Sequence, residues 1–169
     1  MKWIAIAGTW KSINNQVEND VRSSVRELAA HGDGIVTGRA LGVDRIATDE
    51  MVKVDPQASS IKIFLPCTLA RYKEHYCKRA VEGIITLEEA ENLITQLETV
   101  YTANKLAIIE NVDTVTIDRE AYFSRITLIV AAADELYAFQ VNKSDGTQDT
   151  INKAEKKGIP VTLFSYTIE

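Results

Sequence analysis

The chain has 169 residues, 46% hydrophobic and 25% charged, with 19 Lys+Arg against 24 Asp+Glu and a net charge of −5. That balance lacks the basic footprint on which nucleic-acid binding commonly rests, so nucleic acid is expected to be an unlikely partner and a small ligand the better expectation. The length suits one domain burying roughly 70% of its unfolded surface. Only Cys67 and Cys77 are present, too few for a disulfide framework, and no apolar run is long enough for a membrane span, so a reducing, cytoplasmic setting without a membrane partner is expected.

Ile4–Ala7 predicts a buried first strand rather than a signal segment, because the apolar run is short and Thr9-Trp10-Lys11 follows it. Val17, Val21, Val25 and Leu28 recur at helical spacing until His31-Gly32-Asp33-Gly34 breaks the pattern. Ile35-Val36-Thr37 predicts the second strand. Val43, Ile46, Ala47, Met51 and Val54 then line one helical face, and a third strand, Ile61–Leu65, stops at Pro66. Residues 66–83 predict a loop and a short helix. Thr86-Leu87-Glu88-Glu89 has the form of a capping box opening a helix with Ala90, Leu93, Leu97 and Val100 on one side. A helix over Asp118–Ile126 and the apolar stretch Thr127–Val130 precede a strand over Glu135–Val141. The last helix, from Gly146, ends at Gly158-Ile159-Pro160 before the strand Val161–Phe164. Strands alternating with amphipathic helices predict an α/β, Rossmann-like open sheet, mainly parallel, with helices on both faces.

Two Gly-rich turns, each lying between a strand and a helix, carry the functional signal. In Thr37-Gly38-Arg39-Ala40-Leu41-Gly42-Val43-Asp44, Gly38 and Gly42 permit positive φ or a close backbone approach, and Thr37 and Arg39 offer a hydroxyl and a guanidinium to a phosphate. Asp44 either caps the helix or reaches a ribose hydroxyl; on the plainer reading, the glycines only make a tight turn. In Ser144-Asp145-Gly146-Thr147-Gln148-Asp149-Thr150, hydroxyls of Ser144, Thr147 and Thr150 accompany the outward amides of a helix start. Ser144 or Thr147 serving as a simple N-cap is the competing explanation. Gly8 and Thr9 complete the candidate ligand set. Neither a GxxxxGK[ST] loop nor a dinucleotide GxGxxG fingerprint occurs.

Thr37–Ala47 resembles the S/T-G-G/M-A-x-G-I/V-D-x-x-A segment of the SLOG superfamily, which groups DprA DNA-processing proteins with LOG nucleotide hydrolases. Ser144–Thr147 is similar to the second, G-T signature of those proteins, and Tyr122-Phe123-Ser124-Arg125 looks like the element whose arginine faces a ligand phosphate. The resemblance covers residues 1–65 and 118–169, leaving about 66–117 as a mainly helical insertion in a single domain, 1–169. It implies a nucleotide or nucleotide-derived ligand held between two helix N-termini with Arg125 assisting.

LOG hydrolases place their catalytic glutamate where this chain has Thr150, and Asp149 points about 100° away around the helix. A sensor or carrier is therefore expected, with no catalytic residue and no cofactor; the alternative is a phosphoribohydrolase-like enzyme cleaving a nucleoside monophosphate, and a third reading is a molybdenum-cofactor carrier. Cys67, His75 and Cys77 lack metal-ligand spacing, so no metal is expected. Arg71, Lys73, Lys78 and Arg79 either draw anions inward or form a solvated helical face. Relatives in the superfamily pair through sheet-flanking helices, so the resemblance also allows a homodimer.

Overall fold

The computed structural model describes all 169 residues. Six strands, β1 (Trp3–Gly8), β2 (Gly34–Thr37), β3 (Ile61–Phe64), β4 (Ile108–Ile109), β5 (Glu135–Val141) and β6 (Val161–Tyr166), form one open sheet in the order β4-β3-β2-β1-β5-β6. Every pairing is parallel. The helices are α1 (Asn15–Ala30), α2 (Val43–Val54), α3 (Leu69–Val81), α4 (Leu87–Ala103), α5 (Arg119–Ala131) and α6 (Asp145–Lys157). None is long and apolar enough to cross a membrane.

Alternation along the strands sorts the core into two layers. Ile4 and Ile6 of β1 face a cluster that also takes in Val17, Val21 and Val25 of α1, Ile46 and Met51 of α2, and Leu93 and Leu97 of α4. Ala5, between them, faces the opposite cluster with Val36, Ala138, Ile129 of α5 and Ile151 of α6. The alanines on this second face let α5 and α6 lie close to the strands. Between α1 and α2, Arg22 bridges to Asp49 (2.7 Å) and Glu50 (2.8 Å), with Arg26 also on Glu50 (2.9 Å).

Three elements differ from the sequence-based expectation. Residues 66–83 contain a full 13-residue helix, α3, whose Thr68 side chain accepts from the Arg71 amide and whose Leu69, Tyr72 and Tyr76 are buried. Its apolar face is made largely of tyrosines among charged residues, which blurs the helical period. Thr127–Val130 is not a separate stretch but the continuation of α5, because Ile129 and Val130 pack on the sheet and tertiary burial overrides the preference of a β-branched run. β4, only two residues long, pairs with β3 at the sheet edge and was not expected. The capping box of α4 is present in both directions: Glu89 N donates to Thr86 Oγ1 (3.0 Å) and Thr86 N to Glu89 Oε2 (2.8 Å).

The chain runs outward from β1 through β2, β3 and β4, then returns to place β5 on the other side of β1. The β1/β5 boundary is thus the topological switch point, and the crevice beyond the strands' carboxyl ends there is where open α/β sheets take ligands.

Candidate functional site

At that crevice lies a cavity of about 590 Å³, walled by the end of β1, the β2–α2 turn, the β5–α6 turn, α5 and α3. Half of its lining residues are apolar. Glycine at the end of β1 is required by crowding. A Cβ on Gly8 would stand 2.5 Å from Val43 Cγ2 and 2.8 Å from the Phe139 carbonyl.

The β2–α2 turn is filled from within. Thr37 Oγ1 accepts from Arg39 N (2.8 Å), and both side chains are fully enclosed. Arg39 adopts φ +45 and donates from Nη1 to the Ala40 carbonyl (2.8 Å), while its Nε and Nη2 have no partner. Burial pulls its pKa down to about 10. Gly38 has no room for a side chain, since a Cβ would lie 2.7 Å from Arg125 Cζ. Gly42 has φ +73, and a Cβ there would fall 2.3 Å from the Thr9 carbonyl, which already accepts from Val43 N (3.1 Å). Asp44 Oδ2 accepts from Ala40 N (3.0 Å), placing a carboxylate in the first turn of α2, where negative charge answers the helix dipole. Burial raises the pKa of Asp44, with the Arg125 charge opposing the shift.

The β5–α6 turn is open. It enters through two consecutive left-handed residues, Asn142 (φ 50) and Lys143 (φ 51). The Ser144 hydroxyl donates to Thr147 Oγ1 (2.9 Å) rather than accepting from a backbone amide, so the helix has no side-chain cap. Its first backbone bond is Gln148 N to Ser144 O (3.0 Å), leaving the amides of Asp145, Gly146 and Thr147 without an acceptor in the chain. Nothing lies within 4 Å of a Cβ built on Gly146. Thr150 Oγ1 donates back to the Gly146 carbonyl (2.9 Å), while Asp149 pairs with Lys153 (2.6 Å).

Arg125 rises from α5 into the cavity floor. Its Nη1 donates to the Gly38 carbonyl (3.0 Å) and to Tyr72 Oη (3.3 Å), and its buried Nε has no partner. Burial lowers its pKa, but Tyr72 and Asp44 outweigh that and the net shift is upward. The Tyr122 ring lies 5.0 Å from the guanidinium carbon, and its hydroxyl, pushed by burial up to about 12, is 3.2 Å from His75 Nε2.

Of the residues singled out from sequence, Gly8, Thr9, Asp44, Arg125, Ser144, Asp145, Gly146, Thr147 and Thr150 line this cavity. Thr37, Gly38, Arg39 and Gly42 do not; they stand behind it and shape it. Sequence reasoning left out Trp10, Lys11 and Tyr76, weighed His75 only as a metal ligand and Tyr122 only as part of the segment carrying Arg125, and named Arg79 within a basic cluster that either draws anions inward or is solvated; all six line the cavity. The available signal was the spacing of His75 and Arg79, four residues apart on one face of a helix. Within the basic cluster only Arg79 lines the cavity; Lys73 pairs with Glu98 (2.9 Å) and Arg71 donates to the Thr114 carbonyl (2.7 Å).

No protein-family model matches the chain, and no curated protein does. Solved structures do. A DNA processing protein A from Helicobacter pylori, described for its single-stranded DNA binding mode, aligns with TM-score 0.67 and 22% identity over 96% of this chain and 64% of its own. TM1055, a structural-genomics target, aligns at 0.56 with 15% identity, covering 95% of this chain and 72% of that one. DprA from Streptococcus pneumoniae gives 0.52 and 12%, covering 95% and 58%.

These neighbours correct one expectation. Net charge pointed away from nucleic acid, yet a protein of this fold binds single-stranded DNA. A whole-chain sum does not report where the charges sit, and here Lys11, Arg79 and Arg125 line one cavity. The chain therefore has the open, parallel, Rossmann-like α/β fold that it shares with DprA and TM1055.

Proposed function

We propose that the protein binds a nucleotide or nucleotide derivative in the switch-point cavity, with the phosphate on the first turn of α6. The carrying observation is that the amides of Asp145, Gly146 and Thr147 have no acceptor in the chain and border a cavity floored by Arg125. Aligned amides at the positive end of a helix dipole, facing a guanidinium, are the chemistry that holds a phosphate. The charge beneath the cavity supports the same choice, because Arg125 in the floor and Arg39 buried behind it are answered there by a single buried carboxylate, Asp44. Tyr122, Phe123 and Ile126 offer the apolar wall that a base or other flat group needs.

Binding without turnover fits the α6 turn, where Thr150 is tied to the Gly146 carbonyl and cannot shuttle a proton near neutral pH. One observation favours the phosphoribohydrolase-like reading: Asp44 lines the cavity with a pKa raised by burial, as a general acid requires.

The test is a thermal-shift series with nucleoside 5′-monophosphates, inorganic phosphate and short single-stranded DNA, each followed by chromatography for released base. Stabilisation that Gly146→Val abolishes supports binding at the α6 turn. Base release that disappears in Asp44→Asn moves the assignment to the enzyme. No shift with any of these ligands overturns both.

A further inference from the structure

A second depression, of about 500 Å³, adjoins the first and shares Trp10, Lys11, Ile84 and Ile85 with it. The loop after β1 is a wall common to both. Asp44 faces the first cavity and Arg45 the second, as expected for successive helical residues about 100° apart.

This wall is built. Thr9 Oγ1 donates to the Lys11 carbonyl (2.7 Å), and Trp10 packs its backbone on Gly42, where a Cβ would come within 2.6 Å of Trp10 Cα. Trp10 remains 45% exposed, with Lys11 Nζ 4.6 Å from its ring centroid. Neither Lys11 nor the half-buried Arg45 forms an ion pair within the chain. The acid that shares the groove, Glu89, is engaged in the capping box of α4. An exposed aromatic ring beside two unpaired cations is the chemistry that takes a base and a phosphodiester.

Resting on the nucleotide reading of the first cavity, we propose that the ligand is longer than one nucleotide. It is a phosphodiester-linked two-nucleotide unit whose second base lies over Trp10 and whose linking phosphate meets Lys11 and Arg45. Such a unit comes either as a free dinucleotide or as the 5′ end of a single strand, and the same two subsites serve both.

Calorimetric titration of the whole chain compares a nucleoside 5′-monophosphate, the 5′-phosphorylated dinucleotide and a 5′-phosphorylated hexanucleotide of the same base. The dinucleotide is expected to bind about tenfold more tightly than the monophosphate, a preference that weakens with added salt. Arg45→Gln is expected to cut that preference below about threefold while leaving monophosphate affinity and ligand-free melting temperature unchanged. A hexanucleotide no tighter than the dinucleotide identifies a free small molecule; a tighter one identifies a strand end, and both support the two-subsite ligand. A dinucleotide that binds no better than the monophosphate overturns this inference while the first cavity's reading stands. So does an Arg45→Gln variant with the preference intact. If neither compound binds, both readings fall.

Discussion

The β2–α2 turn and the β5–α6 turn look alike in sequence, each a glycine-bearing loop between a strand and a helix, but they resolve their backbone donors in opposite ways. In the first, Thr9 accepts from Val43 N, Asp44 accepts from Ala40 N, and the left-handed Gly42 presses against the loop above it. In the second, Ser144 turns its hydroxyl to Thr147, and three amides face a cavity. A glycine turn signals a site only when its donors are not already answered by the chain. At the first turn glycine serves packing; at the second it keeps space open.

The sharpest test of that contrast is Gly42→Ala, which combines a left-handed φ with a Cβ 2.3 Å from the Thr9 carbonyl. A loss of about 4 kcal/mol is expected from the strain and the overlap together, measured by denaturant unfolding. A loss below about 1 kcal/mol would mean that the first turn is as roomy as the second. Next in size, Asp44→Ala leaves two buried guanidinium groups without their carboxylate and frees the Ala40 amide, for an expected loss of about 3 kcal/mol in the same measurement.

At the second turn the expected pattern reverses. Gly146→Val changes ligand-free stability by under about 0.5 kcal/mol, because the position is helical and unobstructed. It nevertheless removes the thermal shift that saturating nucleotide produces, about 2.7 kcal/mol of stabilisation at a hundredfold excess over Kd. A variant that keeps its shift would place the phosphate elsewhere.

The smallest effect concerns the wall. Burial, and after it the Arg79 charge, lowers the pKa of His75 from 6.5, so the unfolded chain binds the proton more readily than the folded one. Stability from this group is therefore present above about pH 6.5 and lost as pH falls through the lowered folded value. Melting curves across that range should show a slightly flatter acid limb for His75→Gln than for the parent. Parallel limbs would show that the half-buried ring titrates as it does in the unfolded chain.

The alternation of apolar strands with amphipathic helices was legible because each period reports directly on burial, as with Val17, Val21, Val25 and Leu28. The two turns were legible as turns. What could not be read was occupancy: nothing in Thr37–Asp44 says that Arg39 folds inward or that Arg125, far along the chain, fills the space above Gly38. The α3 wall was missed for a different reason. Tyr72, Tyr76 and His75 serve as buried or half-buried surface while remaining polar, so a hydrophobicity pattern passes over them. Net charge was a poor guide because a whole-chain sum is silent on a single cavity, and this one is lined by Lys11, Arg79 and Arg125.

Residues 66–117 have one further consequence. This stretch contributes α3 and α4, hence His75, Tyr76, Arg79, Ile84 and Ile85 along the crevice, yet it touches neither β1 nor the α6 turn in its own hydrogen bonding. The unpaired amides of the α6 turn and the α3 wall facing them are thus encoded in separate lengths of chain, joined through Arg125, whose Nη1 donates to Tyr72 Oη (3.3 Å). Exchange of the 66–117 stretch between proteins of this fold would reshape the crevice while the α6 amides stay as they are.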